Sequence, residues 1–131
     1  MSDYEKNCYI FVQNLARELA QDYNIQYQHM EEFARWNLPE EIALEWIDVE
    51  GMIDVLECAK DISKETADVL RRIISAFALE FEKSNNSVWT HKAMKTSAFW
   101  NMQRLNAIQA LDGMTEKTGD GSMSSDDDQQ K

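Results

Sequence analysis

The chain has 131 residues, of which 44% are hydrophobic and 28% charged, as expected for one globular domain that folds without disulfides or metals. Its formal net charge of −11 disfavours binding to nucleic-acid phosphates or anionic membranes and favours a basic protein partner. One proline and four glycines leave few chain breaks, so we predict an all-α protein, a compact bundle of about five helices.

The first long helix is predicted over about residues 3–23. Ser2 and Glu5 have the spacing of a capping box at its start. The apolar residues behind them recur every three or four positions and predict one buried stripe, formed by Tyr4, Cys8, Phe11, Leu15, Leu19 and Tyr23. We expect both cysteines of the chain, Cys8 and Cys58, to be buried free thiols.

A short second helix is predicted over about residues 26–36. Met30, Phe33 and Trp36 would face inward from it. It must end before Pro39, because the residue preceding a proline is pushed out of the helical region. Asn37 could then cap the next helix, with Pro39 in its first turn.

The third helix, over about 39–60, has two apolar stripes on nearly opposite sides. The first contains Ile42, Trp46, Val49, Ile53 and Leu56, and the second Leu44, Ile47, Val55, Cys58 and Ile62. Two acidic ribbons run between them, Glu41, Glu45 and Asp48 on one flank and Glu50, Asp54, Glu57 and Asp61 on the other. A helix of this kind is either central in the bundle or leaves one face for another chain.

The last two helices are predicted over about 64–83, capped by Ser63, and 87–112, ending at Gly113 as a C-terminal cap glycine. Residues 84–87 would form the polar loop between them. We therefore divide the chain into a helical bundle domain, 1–112, and a disordered acidic tail, 113–131, which is rich in Gly, Ser and Asp and lacks apolar periodicity.

Catalytic, cofactor and metal signatures are not evident, and we predict none of these sites. His29 and His91 lack a second histidine or cysteine at metal-ligand spacing, and no nucleophile motif or phosphate-binding glycine loop occurs. The chain opens without a signal peptide and contains no membrane-length apolar run, so we expect a cytoplasmic protein.

Two carboxylate pairs are the one pattern with chemical potential. Glu45 and Asp48, like Glu65 and Asp68, lie three residues apart and share a helical face. They resemble the paired acidic motifs of all-helical nucleotide pyrophosphohydrolases of the MazG type, although the resemblance covers only these four residues and the usual first motif is Glu-x-x-Glu. It implies Mg²⁺-dependent hydrolysis of a nucleotide as an alternative function.

Charge and aromatic residues suggest where a partner could bind. Residues 40–57 contain seven acids and no base, whereas 83–111 contain Lys83, Lys92, Lys95 and Arg104 and no acid. The two rims could attract each other within the fold, or each could meet a partner of opposite charge. Trp89 and Trp100 lie three turns apart on one face, either packed against a neighbouring helix or exposed as anchors.

These observations favour a non-enzymatic protein-binding module with an acidic helical surface. Such proteins include immunity proteins and phage or mobile-element inhibitors, among them anti-CRISPR proteins. The predicted contact residues are Glu41, Glu45, Asp48, Glu50, Asp54, Glu57, Trp89 and Trp100. The alternatives are a homo-oligomeric scaffolding subunit that dimerises through the second face of the third helix, and the Mg²⁺-dependent hydrolase.

Overall fold

A computed structural model describes residues 1–83 and 87–119 of the protein, without the side chains of 115–119. This part of the chain is all-α, as predicted, and contains no strand. Its elements are α1 (Asp3–Ala20), α2 (Tyr23–His29), a 3₁₀ helix (Glu32–Asn37), α3 (Leu38–Ile47), α4 (Glu50–Cys58), α5 (Lys64–Glu82), α6 (His91–Thr96) and α7 (Ala98–Gly119). None of these helices is long and apolar enough to cross a membrane.

The core lies between α1, α5 and α7, with α7 packed against both of the others. Helix α4 contacts α1 and α5 from the other side, and α3 packs on α5. Trp46, Phe77 and Trp100 are the largest fully buried side chains. The first apolar stripe predicted for the third helix is entirely buried, so this part of the prediction is confirmed.

Helix α1 begins as predicted but buries a different face. Ser2 accepts from the Glu5 backbone and Glu5 accepts from the Ser2 backbone, which completes the capping box. The buried positions are Cys8, Tyr9, Val12, Gln13, Ala16 and Leu19. Tyr4 and Phe11 are exposed, so the predicted stripe was rotated about the helix axis, because Tyr9 and Val12 meet the core instead.

The predicted third helix is broken in two. Helix α3 ends at Ile47, and α4 starts at Glu50 after a turn in which the Val49 backbone donates to Trp46. Val49 itself is buried, so the turn keeps the first apolar stripe in the core across the break. On the second stripe Leu44 and Cys58 are exposed, so the prediction of two buried cysteines holds only for Cys8.

The last predicted helix is also divided and does not end at Gly113. Ser97 interrupts it and caps α7 by accepting from the Trp100 backbone, while Thr90 caps α6. Gly113 has no positive φ, and α7 continues through it to Gly119. A Cβ at this position would lie 2.2 Å from Oγ1 of Thr66, so the glycine allows α7 to approach α5 rather than ending a helix. The predicted loop at 84–87 and the tail beyond 119 lie mostly outside the described residues.

Candidate functional site

The second acidic ribbon is engaged in an ion-pair network inside the molecule. Arg71 of α5 donates to Asp54 at 2.7 Å and forms a second ion pair with Glu57 at 2.7 Å. The hydrogen bonds that Arg71 donates to these carboxylates raise its pKa. Asp54 and Glu57 of α4 are therefore paired by Arg71 of α5, and the predicted attraction between the third and fifth helices is not what neutralises these two carboxylates.

The first ribbon borders a groove of about 330 Å³ between α1, α2 and α3. Its apolar wall is formed by Phe11, Leu15, Met30 and Ile42, and its polar groups include Glu18, His29 and Glu45. His29 Nδ1 lies 2.8 Å from Glu18 Oε2. Partial burial of the carboxyl group, then the negative charges of Glu41 and Glu18, raise the pKa of Glu45. This groove would favour a cationic group that relieves the repulsion.

The predicted tryptophan anchors are not free for a partner. Trp100 is fully buried, and its indole N–H donates to the carbonyl of Val88 at 2.8 Å. It packs against Phe77 with ring centroids 5.2 Å apart. Trp89 is half-buried and stacks on Phe81 at 4.3 Å. Trp100 therefore belongs to the core, which contradicts its assignment to a contact surface, and Trp89 covers the edge of that core.

The most exposed large aromatic side chains lie instead on the 3₁₀ helix. Phe33 is 80% exposed and Trp36 is 85% exposed. The prediction that both face inward is wrong, because the 3₁₀ helix turns its buried position, Ala34, toward the core in their place. The sequence analysis missed this aromatic pair as a site. It assumed one continuous amphipathic α-helix, and in such a helix both rings would face the core.

Arg35 fixes the 3₁₀ helix to α2. Its Nε donates to the carbonyls of Tyr27 and Met30 at 2.9 and 3.0 Å, and its Nη2 donates to Gln28 at 3.3 Å. The guanidinium also lies over the Tyr27 ring, 5.0 Å from its centroid. Arg35 therefore satisfies the last carbonyls of α2 and holds the backbone between Phe33 and Trp36.

His91 at the start of α6 provides a second attachment. Its Nε2 lies 3.2 Å from the carbonyl oxygen of Trp36, and its Nδ1 lies 2.5 Å from the hydroxyl of Tyr23. A carbonyl only accepts, so Nε2 carries the proton and Tyr23 donates to Nδ1 in the neutral ring. Burial, then the neighbouring Tyr27, raise the pKa of Tyr23, which keeps this hydroxyl protonated as a donor.

The aromatic pair sits in an acidic segment. Residues 31–41 contain four glutamates, Glu31, Glu32, Glu40 and Glu41, against one arginine, and that arginine is bonded to backbone carbonyls. Asn37 donates to Glu41 at 3.2 Å, which orients this carboxylate beside the 3₁₀ helix. The segment thus combines two exposed rings with a negative surround.

Three of the four basic residues predicted as a second surface, Arg104, Lys95 and Lys83, have internal partners. Arg104 donates to the carbonyls of Gln21 and Met94 and to Gln26 Oε1, at 3.1, 2.7 and 3.1 Å. Burial lowers the pKa of Arg104. Lys95 lies over the Tyr23 ring, and Lys83 pairs with Glu80.

The two carboxylate pairs do not converge on a common centre. Glu45 lines the groove beside α1, whereas Glu65 lines a different depression with Ser63 and Gln109. Asp68 pairs with Lys64 at 3.3 Å. Within the described residues no group of three or more His, Cys, Asp or Glu side chains could hold a metal ion.

Comparisons with known proteins identify no relative of this chain. No protein-family model matches the chain, and no curated protein or solved structure is similar to it.

Proposed function

We propose that this protein is a non-enzymatic binding module that occupies a basic protein partner through Phe33, Trp36 and the glutamates around them. The observation that carries the proposal is the exposure of both rings, 80% and 85%, on a short helix fixed at two points. The partner would offer an apolar pocket for the rings, with lysine or arginine side chains on its rim. Such occupation is how an inhibitor or immunity-type protein acts.

Leaving the rings of Phe33 and Trp36 in water has an energetic cost. Large aromatic side chains bury 150–250 Å² each when packed, so two adjacent rings left in water forfeit a contribution of several kcal/mol. Aromatic residues dominate the binding energy of protein interfaces because they bring large area with little side-chain entropy. The exposure of Phe33 and Trp36 is accounted for when a partner covers them.

The 3₁₀ helix that carries the two rings is attached to the rest of the fold. Arg35 and His91 attach the 3₁₀ helix to α2 and α6, so its backbone is ordered before a partner arrives. A surface that is already ordered loses less conformational entropy on binding. The attachments thus support a docking role for the rings they hold.

The glutamates supply orientation and partner choice. Glu31 and Glu32 precede the rings, and Glu40 and Glu41 follow them. Complementary charge accelerates encounter and rejects acidic competitors more than it adds affinity. The groove beside Glu45 lies next along α3 and would receive a lysine or arginine side chain of the same partner.

We also propose that the protein acts in the cytoplasm, since both cysteines are free thiols and one is exposed.

The test is a capture experiment with matched variants of the full chain. Tagged wild type, the double variant Phe33→Ala/Trp36→Ala, and the control Tyr4→Ala/Ile10→Ala are incubated with lysate of the native host. The control removes two side chains of 63% and 48% exposure from α1. We expect one partner that wild type and control retain and that the double variant loses.

Quantitative binding to the captured protein then decides the proposal. Truncating two anchors should weaken the affinity by roughly a thousandfold, since each hot-spot residue contributes on the order of 2 kcal/mol or above. Circular dichroism should show both variants folded. A partner held equally well by the double variant, or a wild type that captures none, would overturn the proposal.

A further inference from the structure

Helix α7 exposes three large apolar side chains on its outer face, opposite the face that it buries. Its buried positions are Trp100, Gln103, Asn106, Ala107, Ala110 and Met114. At 100° per residue Leu105 projects opposite the centre of this set, with Met102 and Ile108 about 60° to either side. These three residues are 61%, 54% and 45% exposed. Asn101, Gln109 and Asp112 lie between these positions and are also exposed. Large apolar side chains exposed together in this way usually indicate a contact with another element.

The outer face continues into an apolar groove between α5 and α7. The groove has a volume of about 720 Å³, and Met102 lines it together with Ala76, Leu79 and Phe99. Glu80 and Glu82 border its α5 side, where Glu80 pairs with Lys83. Leu79 is 59% exposed. The exposed apolar surface therefore extends from the middle of α7 to the second half of α5.

Charge identifies what can cover this surface. The chain carries a net charge of −11, so two copies repel least where the contact is centred on a segment without acids. Residues 83–111 contain no Asp or Glu. Arg104 is the one charged residue of α7 before Asp112, and it donates hydrogen bonds within its own chain. The second apolar face of α3, by contrast, is flanked by Glu41, Glu45 and Asp48.

We infer that a second copy of this chain docks here, with the two α7 helices antiparallel about a twofold axis at Leu105. In this arrangement Met102 of one copy lies level with Ile108 of the other. Asp112 lies level with Ala98, the first residue of α7, where the helix dipole favours a carboxylate. A parallel pair would instead bring Asp112 against Asp112. The interface is separate from Phe33 and Trp36, so the dimer does not rest on the proposed function.

The first test is sedimentation equilibrium of the full chain over a wide concentration range. Wild type should be in monomer–dimer equilibrium. Leu105→Lys should weaken dimerisation at least tenfold, because it places two charges at the twofold axis. Phe11→Lys on α1, another exposed apolar position at 46%, should leave it unchanged. A wild type that is monomeric throughout, or a Leu105→Lys variant that dimerises equally, overturns the inference.

Disulfide cross-linking tests the direction of the helices in a Cys58→Ser background. Ala98→Cys and Asp112→Cys should cross-link when mixed and not separately. In the antiparallel pair two copies of position 98 lie about 21 Å apart along the axis, far beyond disulfide reach. Cross-linking of each variant with itself would show a parallel pair and refute the arrangement.

Discussion

Replacement of two helical glycines by alanine should change the stability of the protein in opposite directions. Gly51 in α4 has no atom within 4 Å of an added Cβ, whereas a Cβ at Gly113 would lie 2.2 Å from Oγ1 of Thr66. Neither has a positive φ, so backbone conformation does not separate them. Alanine should therefore stabilise the protein at Gly51 and destabilise it at Gly113.

The magnitudes follow from helix propensity and packing. Alanine in place of a helical glycine contributes about 0.5–1 kcal/mol. At Gly113 this gain is opposed by overpacking, which costs about 1–3 kcal/mol. Thr66 cannot simply rotate away, because it is buried and its Oγ1 accepts from Ser63 at the start of α5. We expect Gly113→Ala to lose roughly 1–2 kcal/mol and Gly51→Ala to gain up to about 1 kcal/mol.

Urea denaturation followed by circular dichroism measures both free energies of unfolding. The double variant Thr66→Ala/Gly113→Ala provides the decisive control. Without Oγ1 the nearest remaining atom is the Thr66 Cβ at 3.5 Å, an ordinary contact. In the Thr66→Ala background the added methyl group should therefore be stabilising. If Gly113→Ala is as stabilising as Gly51→Ala in the wild-type background, the close approach of α7 to α5 is refuted.

Three further substitutions test the core, the buried arginine and the acidic groove. Trp100→Ala should cost about 3–5 kcal/mol in urea denaturation, in contrast to Trp36→Ala, which should cost less than about 0.5 kcal/mol. Arg104→Ala should cost about 2–3 kcal/mol by leaving three acceptors unpaired, and Arg104→Lys should recover only part, since lysine lacks the planar fork. Glu45 has a raised pKa, so its ionised form costs stability at neutral pH; Glu45→Gln should gain about 0.2–0.5 kcal/mol at pH 7. That gain should vanish below the unfolded pKa of about 4.3, and a gain that persists there would contradict the electrostatic cause.

The sequence predicted the elements with strong local signals. Ser2 and Ser63 cap α1 and α5 as their neighbours indicated, and the first apolar stripe of the third helix forms the core. Periodicity could not show the interruptions near Val49 and at Ser97, because the apolar pattern continues across both. The cap hydroxyl of Ser97 was the one local sign of the second break.

The candidate site was harder to predict because it depends on long-range contacts. Trp36 belongs to an apolar pattern, and only its position in a 3₁₀ helix tied to Arg35 and His91 turns it toward solvent. Trp100 has the same chemistry and is buried by contacts with Phe77 from α5. Residue type alone therefore did not separate an anchor from a core residue.

The two proposed surfaces should respond to salt in opposite directions. Phe33 and Trp36 are surrounded by glutamates that would face basic groups, so added salt screens an attraction and weakens partner binding. The outer face of α7 joins two chains of −11 through uncharged side chains, so the same salt screens a repulsion and strengthens the dimer. The single attraction there, between Asp112 and the start of α7, is small beside the net charge of the chains. Parallel titrations of partner affinity and dimer affinity with NaCl should give slopes of opposite sign. Slopes of the same sign would show that one of the two contacts lies on a different part of the surface.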